Sequence, residues 1–234
     1  MQAQTSRTQP LNITTDAGDT VSAEATWPPE AEAVFVFAHG AGAGMGHPFM
    51  TAVADGLAVR NIACLRYQFP YMQAGRRRVD AAPVAHATVR AAVATAASLW
   101  GPLPLFAGGK SYGGRMTSQA QAIESLPGVA GLIFLGFPLH ASGKPDTVRA
   151  QHLDSIDIPM LFIRGTRDAL AEASHFDPLI THLGDMASRF DIAEADHTFH
   201  VLKRSGRDAE DVLDEVLDGL ALWTQAWRIW PSRG

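Results

Sequence analysis

Apolar residues in this chain gather into short, nearly unbroken runs. Longer stretches lie between them, in which apolar positions recur every three or four residues. Runs of the first kind occupy 33–38 (AVFVFA), 61–66, 103–107, 129–135 and 159–164, while 188–193 alternates apolar with polar. Their length suits strands buried in a sheet. Stretches of the second kind, near 48–59, 83–99, 112–124, 175–183 and 207–227, predict helices. The last carries Val212, Val216, Leu220, Trp223 and Trp227 at near-helical spacing, with Leu213 and Leu217 beside them, so it is expected to pack on the sheet. Two further strands, 11–15 and 20–27, flank the turn Asp16-Ala17-Gly18-Asp19 and predict a hairpin closed by Pro28-Pro29. The alternation predicts an α/β architecture: a mainly parallel central sheet with an N-terminal antiparallel hairpin and helices on both faces. No internal repeat or linker divides the chain, so a single domain over 1–234 is expected, with residues 1–9 flexible. The stretch 137–158 is the longest without a strand pattern, and it is too short for a separate cap domain.

Composition narrows the function classes. An apolar fraction of 47% with 18% charged residues fits a folded globular protein. The net charge of −5 gives no electrostatic reason to expect a nucleic acid or an anionic membrane surface as partner. No apolar run reaches the roughly 18 residues of a membrane span. The N-terminus, Met1 to Thr8, is polar and lacks the apolar core of a signal peptide, so the cytoplasm is the expected location. One cysteine, Cys64, excludes an intrachain disulfide and is compatible with a reducing compartment.

Candidate chemistry is concentrated at Gly109-Lys110-Ser111-Tyr112-Gly113, a G-x-S-x-G pattern directly after the apolar segment 102–107 and directly before a predicted helix. A serine on such a strand-to-helix turn is held in a strained conformation with its hydroxyl exposed, and the glycines let strand and helix approach. The pentapeptide alone is weak evidence. Its partners follow in the required order of serine, acid, histidine: Asp168 lies just past strand 159–164, and His197 lies in the loop after the last strand. Loops that follow parallel strands share one edge of the sheet, where ligands bind in open α/β folds. Upstream, strand 33–38 runs straight into His39-Gly40-Ala41-Gly42-Ala43-Gly44. A backbone N–H there, from Ala41 or its neighbour Gly42, could join that of Tyr112 in an oxyanion hole. Ser111 is thus the candidate nucleophile, His197 the base and Asp168 the group that orients it.

Competing readings are answerable from local chemistry. Asp196 adjoins His197, and neighbours on an extended loop point apart, so Asp196 is expected to cap its own loop. His200 is expected at the surface. His39 is expected to brace the oxyanion loop through hydrogen bonds. Gly109-Lys110-Ser111 invites a phosphate-loop reading, but that pattern needs glycine at 104, where Pro104 stands. No histidine or cysteine cluster has metal-ligand spacing, and the chemistry needs neither metal nor cofactor. In the loop after strand 61–66, Tyr71 and Met72 either wall the substrate pocket or cover the core. Arg76, first of three consecutive arginines, either meets an acidic substrate or pairs with Asp80.

These residues resemble the α/β-hydrolase superfamily. More narrowly, they are similar to a family of small proteins related to dienelactone hydrolases. It includes bacterial members, a testis-expressed animal homologue and a subunit of a chromatin acetyltransferase complex. The stretches that carry the resemblance are Ala38–Gly42, Phe69–Arg77, Gly109–Met116, Gly136–His140, Gly165–Asp168 and Asp196–Phe199. The resemblance implies an α/β-hydrolase fold without a large cap domain and a catalytic core at Ser111, Asp168 and His197. Dienelactone hydrolases proper use cysteine where this chain has serine, so the lactone substrate does not carry over. The expected activity is hydrolysis of a small-molecule ester, thioester or similar acyl compound, esterase- or thioesterase-like. Peptidase chemistry uses the same triad and stays open. So does a hydrolase-fold interaction module with secondary or lost catalysis. Oligomeric state is not legible.

Overall fold

The computed structural model describes residues 6–144 and 146–228. One eight-stranded sheet runs through them: β1 (Arg7–Thr14), β2 (Thr20–Trp27), β3 (Ala33–Ala38), β4 (Ile62–Tyr67), β5 (Leu105–Lys110), β6 (Val129–Leu135), β7 (Met160–Gly165) and β8 (Ala187–Ile192). Their order across the sheet is β1-β2-β4-β3-β5-β6-β7-β8. The β1–β2 and β2–β4 pairs are antiparallel and all others parallel. This is the expected architecture. The hairpin is longer than its pattern suggested: β1 begins at Arg7, so residues 7–9, expected to be flexible, are paired with Ala25–Trp27 of β2. Residues 1–5 lie outside the described residues.

Among the described residues six α-helices cover the sheet: α1 (Pro48–Val59), the single turn α2 (Pro70–Gln73), α3 (Ala82–Trp100), α4 (Tyr112–Ile123), α5 (Ala173–Leu183) and α6 (Ala209–Arg228). The two-residue period of β3 divides the core. Val34, Val36 and Ala38 join the cluster under α3 and α4, while Ala33, Phe35 and Phe37 join the one under α1 and α6. On α6, Val212, Val216, Leu217, Leu220 and Trp223 are buried in that second cluster, with Leu213 and Trp227 packed against it. Burial on both faces explains why β3, β4 and β7 read as continuous runs. Arg66 and Arg164 interrupt two of them, and each is paired in place, with Glu24 and with Asp191. The segment 137–158 holds a 3₁₀ helix, Val148–Ser155, and no cap domain. No described helix is long and apolar enough to cross a membrane.

Candidate active site

The strand order brings three loops together at the carboxyl edge of the sheet. β5 lies between β3 and β6, and β6, β7 and β8 follow in sequence. Ser111 therefore sits beside the loop after β3, with the loops after β7 and β8 on its other side. At the end of β5 the chain reverses sharply into α4. Ser111 is the helix N-cap at φ +50°, the strained conformation expected of an exposed nucleophile, and its N–H donates to Leu135 O at 3.1 Å. The turn is possible only because side chains are missing beneath it. A Cβ on Gly113 would stand 2.5 Å from Ala38 O and 2.6 Å from His39 O; one on Gly109 would stand 2.5 Å from Ala38 O.

Ser111, His197 and Asp168 form one hydrogen-bonded chain. Ser111 Oγ lies 2.9 Å from His197 Nε2, and His197 Nδ1 lies 2.8 Å from Asp168 Oδ2. The second carboxylate oxygen of Asp168 accepts the Leu170 N–H at 2.8 Å. Asp168 is 2% exposed, so the carboxylate can only face inward, and it assigns the hydrogen of His197 to Nδ1. Nε2 then remains free to accept from the serine hydroxyl. Asp196 does not compete. Its Oδ1 accepts from Thr198 N, Thr198 Oγ1 and His200 N at 2.8, 2.7 and 3.0 Å. Burial works against this carboxylate, but those bonds prevail and hold it below the usual range. His200 is exposed.

Facing Ser111, the loop after β3 is braced from within. His39 is fully buried, with Nδ1 2.8 Å from Gly40 O and Nε2 accepting the Phe69 N–H at 3.1 Å. Burial pushes its imidazole down to about 4, so it is a neutral brace. The Gly42 N–H is directed at Tyr71 Oη, 3.4 Å away. Among the described residues no acceptor takes the N–H of Ala41 or of Tyr112. Of the candidate oxyanion donors, Ala41 and Tyr112 are thus the free pair, and Gly42 is engaged. Tyr71 is wholly buried and edge-on to Tyr112, so it supports this loop; Met72 is half-buried against the core. Arg76 pairs with Asp80 at 2.7 Å, and the other oxygen of Asp80 accepts the Tyr71 N–H. With Arg78 and Pro70 it lines a concavity of about 670 Å³ that no triad residue borders.

Lys110 carries no role in the motif itself. It is the last residue of β5, and its ammonium donates to the carbonyl of His197 and stands 5.0 Å over the Phe199 ring. Gly136 makes room for it, since a Cβ there would lie 2.8 Å from Nζ. Burial pushes the ammonium down to about 8, and the carboxylates of Asp168 and Asp196 partly hold it up. The strand that presents the nucleophile thereby also holds the histidine loop. A lysine closing a buried strand was the one available signal. Among the described residues no group of three or more His, Cys, Asp or Glu side chains could hold a metal ion.

Residues 31–225 match a family model described as an alpha/beta hydrolase domain. Among solved structures, the fold is similar to that of a dienelactone hydrolase from Anabaena variabilis, with TM-score 0.75 and 18% identity over 96% of this chain and 99% of that one. It is also similar to a serine hydrolase without lid from Xanthomonas campestris, with TM-score 0.70 and 17% identity over 93% and 95%. An alpha-beta serine hydrolase homologue from Coxiella burnetii gives TM-score 0.70 and 16% identity over 92% and 96%. At these identities the likeness is one of fold.

Proposed function

The chain belongs to the alpha/beta hydrolase domain family, and on that premise we propose that it is a serine hydrolase cleaving an ester, thioester or similar acyl compound through an acyl-enzyme intermediate. The observation that carries this reading is the unbroken hydrogen-bonded chain from Ser111 through His197 to Asp168. A serine hydroxyl is too weak an acid to attack at neutral pH unaided. His197 Nε2 takes the hydroxyl proton as Oγ attacks the acyl carbonyl, and Asp168 stabilises the imidazolium that results. The oxyanion receives the N–H groups of Ala41 and Tyr112, the second at the positive end of the α4 dipole. Collapse expels the leaving group with the proton from His197. Water, deprotonated by the same imidazole, then attacks the acyl-enzyme, and Ser111 leaves with the proton restored.

Within this reading the substrate is a small acyl compound reached without a lid, and no residue is assigned to a nucleic acid, a membrane or a cofactor. The narrower kinship with the dienelactone-hydrolase-related family rests on the sequence motifs. An interaction module with lost catalysis would have no use for a connected triad, and no observation favours it. The test is pre-steady-state release of 4-nitrophenol from 4-nitrophenyl acetate. A burst matching the enzyme concentration is expected, with an acetyl adduct on Ser111 in the acid-quenched digest. Ser111→Ala should abolish both and reduce turnover about 10⁴- to 10⁶-fold. Turnover without burst or adduct, unchanged in Ser111→Ala, would refute the assignment.

A further inference from the structure

Beside the nucleophile turn stands a second set of polar groups that the triad does not use. Arg115 lies one turn into α4, its N–H bonded to Ser111 O at 3.1 Å. Helical side chains lean toward the N-terminus, and Arg115 does so: its guanidinium lies 5.8 Å from the centre of the Tyr112 ring. The side chain is half-buried. Among the described residues no carboxylate pairs with it, and its Nε, closed off from solvent, has no hydrogen-bond partner. The hydroxyl of Tyr112 is a second buried polar atom without one. Two orphaned polar groups thus adjoin the residue that carries the nucleophile.

The wall opposite adds another cation. The 3₁₀ helix Val148–Ser155 packs on α4 and carries Arg149, whose Nη1 donates to His140 O at 2.9 Å. Burial lowers the Arg115 pKa, and the Arg149 charge lowers it further. Two histidines lie near Arg115: His152 Nε2 is 2.7 Å from Ser118 Oγ, and His86 Nε2 is 3.3 Å from Gln119 Oε1. Burial pushes both imidazoles down, His152 to about 4, with the Arg115 charge adding to it. At neutral pH the charges nearest these rings are therefore those of the arginines, Arg90 included, and Arg90 is paired with Glu124. A guanidinium half withdrawn from water without a counter-ion is unfavourable, and no carboxylate is among the charges that act on Arg115.

We propose that Arg115 and Arg149 form an anion subsite beside the nucleophile, so that the acyl group of the natural substrate carries a carboxylate. The proposal rests on the serine-hydrolase reading above. The planar fork of Arg115 suits a carboxylate, which would meet its outer N–H groups, since Nε is closed off from solvent.

The test compares 4-nitrophenyl monoesters of succinate, glutarate and adipate with their ω-methyl esters, and reads the ratio of kcat/KM within each enzyme. Wild type should favour the acidic member of at least one pair by about tenfold or more, as a charge-assisted hydrogen bond provides. Arg115→Met and Arg149→Met should each pull that ratio toward one, and Arg115→Lys should retain part of it. Circular dichroism confirms that each variant is folded. A ratio near one for every pair in wild type, or one that neither methionine variant alters, overturns the subsite. Two controls separate this from failure of the parent reading. Wild type is treated with a fluorophosphonate; if Ser111 is not labelled, the serine-hydrolase reading falls. Glutarate is then decisive by calorimetry with Ser111→Ala: a binding heat that disappears in Ser111→Ala/Arg115→Met supports the subsite, and its absence in Ser111→Ala refutes it.

Discussion

The turn between β5 and α4, which carries Ser111, and the segment 137–158, whose 3₁₀ helix packs on α4, hold their side chains by opposite means. At the turn, backbone meets backbone. Gly109 and Gly113 lie so near the carbonyls of Ala38 and His39 that no side chain fits, and the strain at Ser111 is contained by this packing. Along 137–144 and 146–158 the chain forms a 3₁₀ helix but no strand, and besides core residues such as Leu139 and Leu153 it is fastened by single polar contacts, such as Arg149 to His140 O and His152 to Ser118. The first arrangement fixes geometry to tenths of an ångström, which bond-making requires. The second can change one residue at a time without disturbing the sheet, which suits recognition of a substrate.

Glycine substitution breaks the comparison open most forcefully. Gly113→Ala should destabilise the protein by about 3 kcal/mol or more, because the new Cβ meets two backbone carbonyls that cannot move. Gly143→Ala, in the opposite wall, should cost only about 1 kcal/mol. Its φ of +72° penalises alanine, but a Cβ there meets nothing within 4 Å. Denaturant midpoints of the two variants measure the difference, and equal losses would dissolve the distinction between the regions.

A smaller effect is expected where the turn reaches across to the histidine loop. Lys110→Met removes the ammonium that holds His197 O and should lower kcat about 10- to 100-fold by loosening the Ser111–His197 geometry. The pH profile distinguishes this from general damage. The groups facing the ammonium are the carboxylates of Asp168 and Asp196, the His197 carbonyl and the Phe199 ring. Its pKa is pushed down to about 8, so the charge is complete below that pH and lost as pH rises through it. Wild-type kcat should therefore decline through about pH 8, the Lys110→Met profile should lack that limb, and Lys110→Arg should move it to higher pH. An alkaline limb unchanged in both variants would remove Lys110 from this role.

The same contrast explains what could be read from the chain. Strands β3 to β7 were legible to within a few residues because burial on both faces writes a nearly unbroken apolar run, and β8, half-buried at the sheet edge, was legible from its alternation. The start of β1 was not: Arg7-Thr8-Gln9-Pro10 is exposed at the sheet edge, and only pairing with β2 makes it a strand. The single turn α2 is too short for any periodicity to show. Ser111, Asp168 and His197 were legible because each follows a strand end in a fixed order. Lys110 and Arg115 were not, since a lysine under a carbonyl and an unpaired guanidinium acquire meaning only from neighbours distant in sequence; Tyr71 could be read two ways, and its complete burial shows that it covers the core. Arg76 could be read two ways, and the pair with Asp80 decides where its side chain goes.

Intact-mass spectrometry after treatment with a fluorophosphonate tests most directly whether Ser111 is an activated nucleophile. Wild type should gain one adduct, Ser111→Ala none, and His197→Ala only a trace at equal exposure. Folded wild type that stays unmodified, or an adduct that persists in Ser111→Ala, would contradict the assignment.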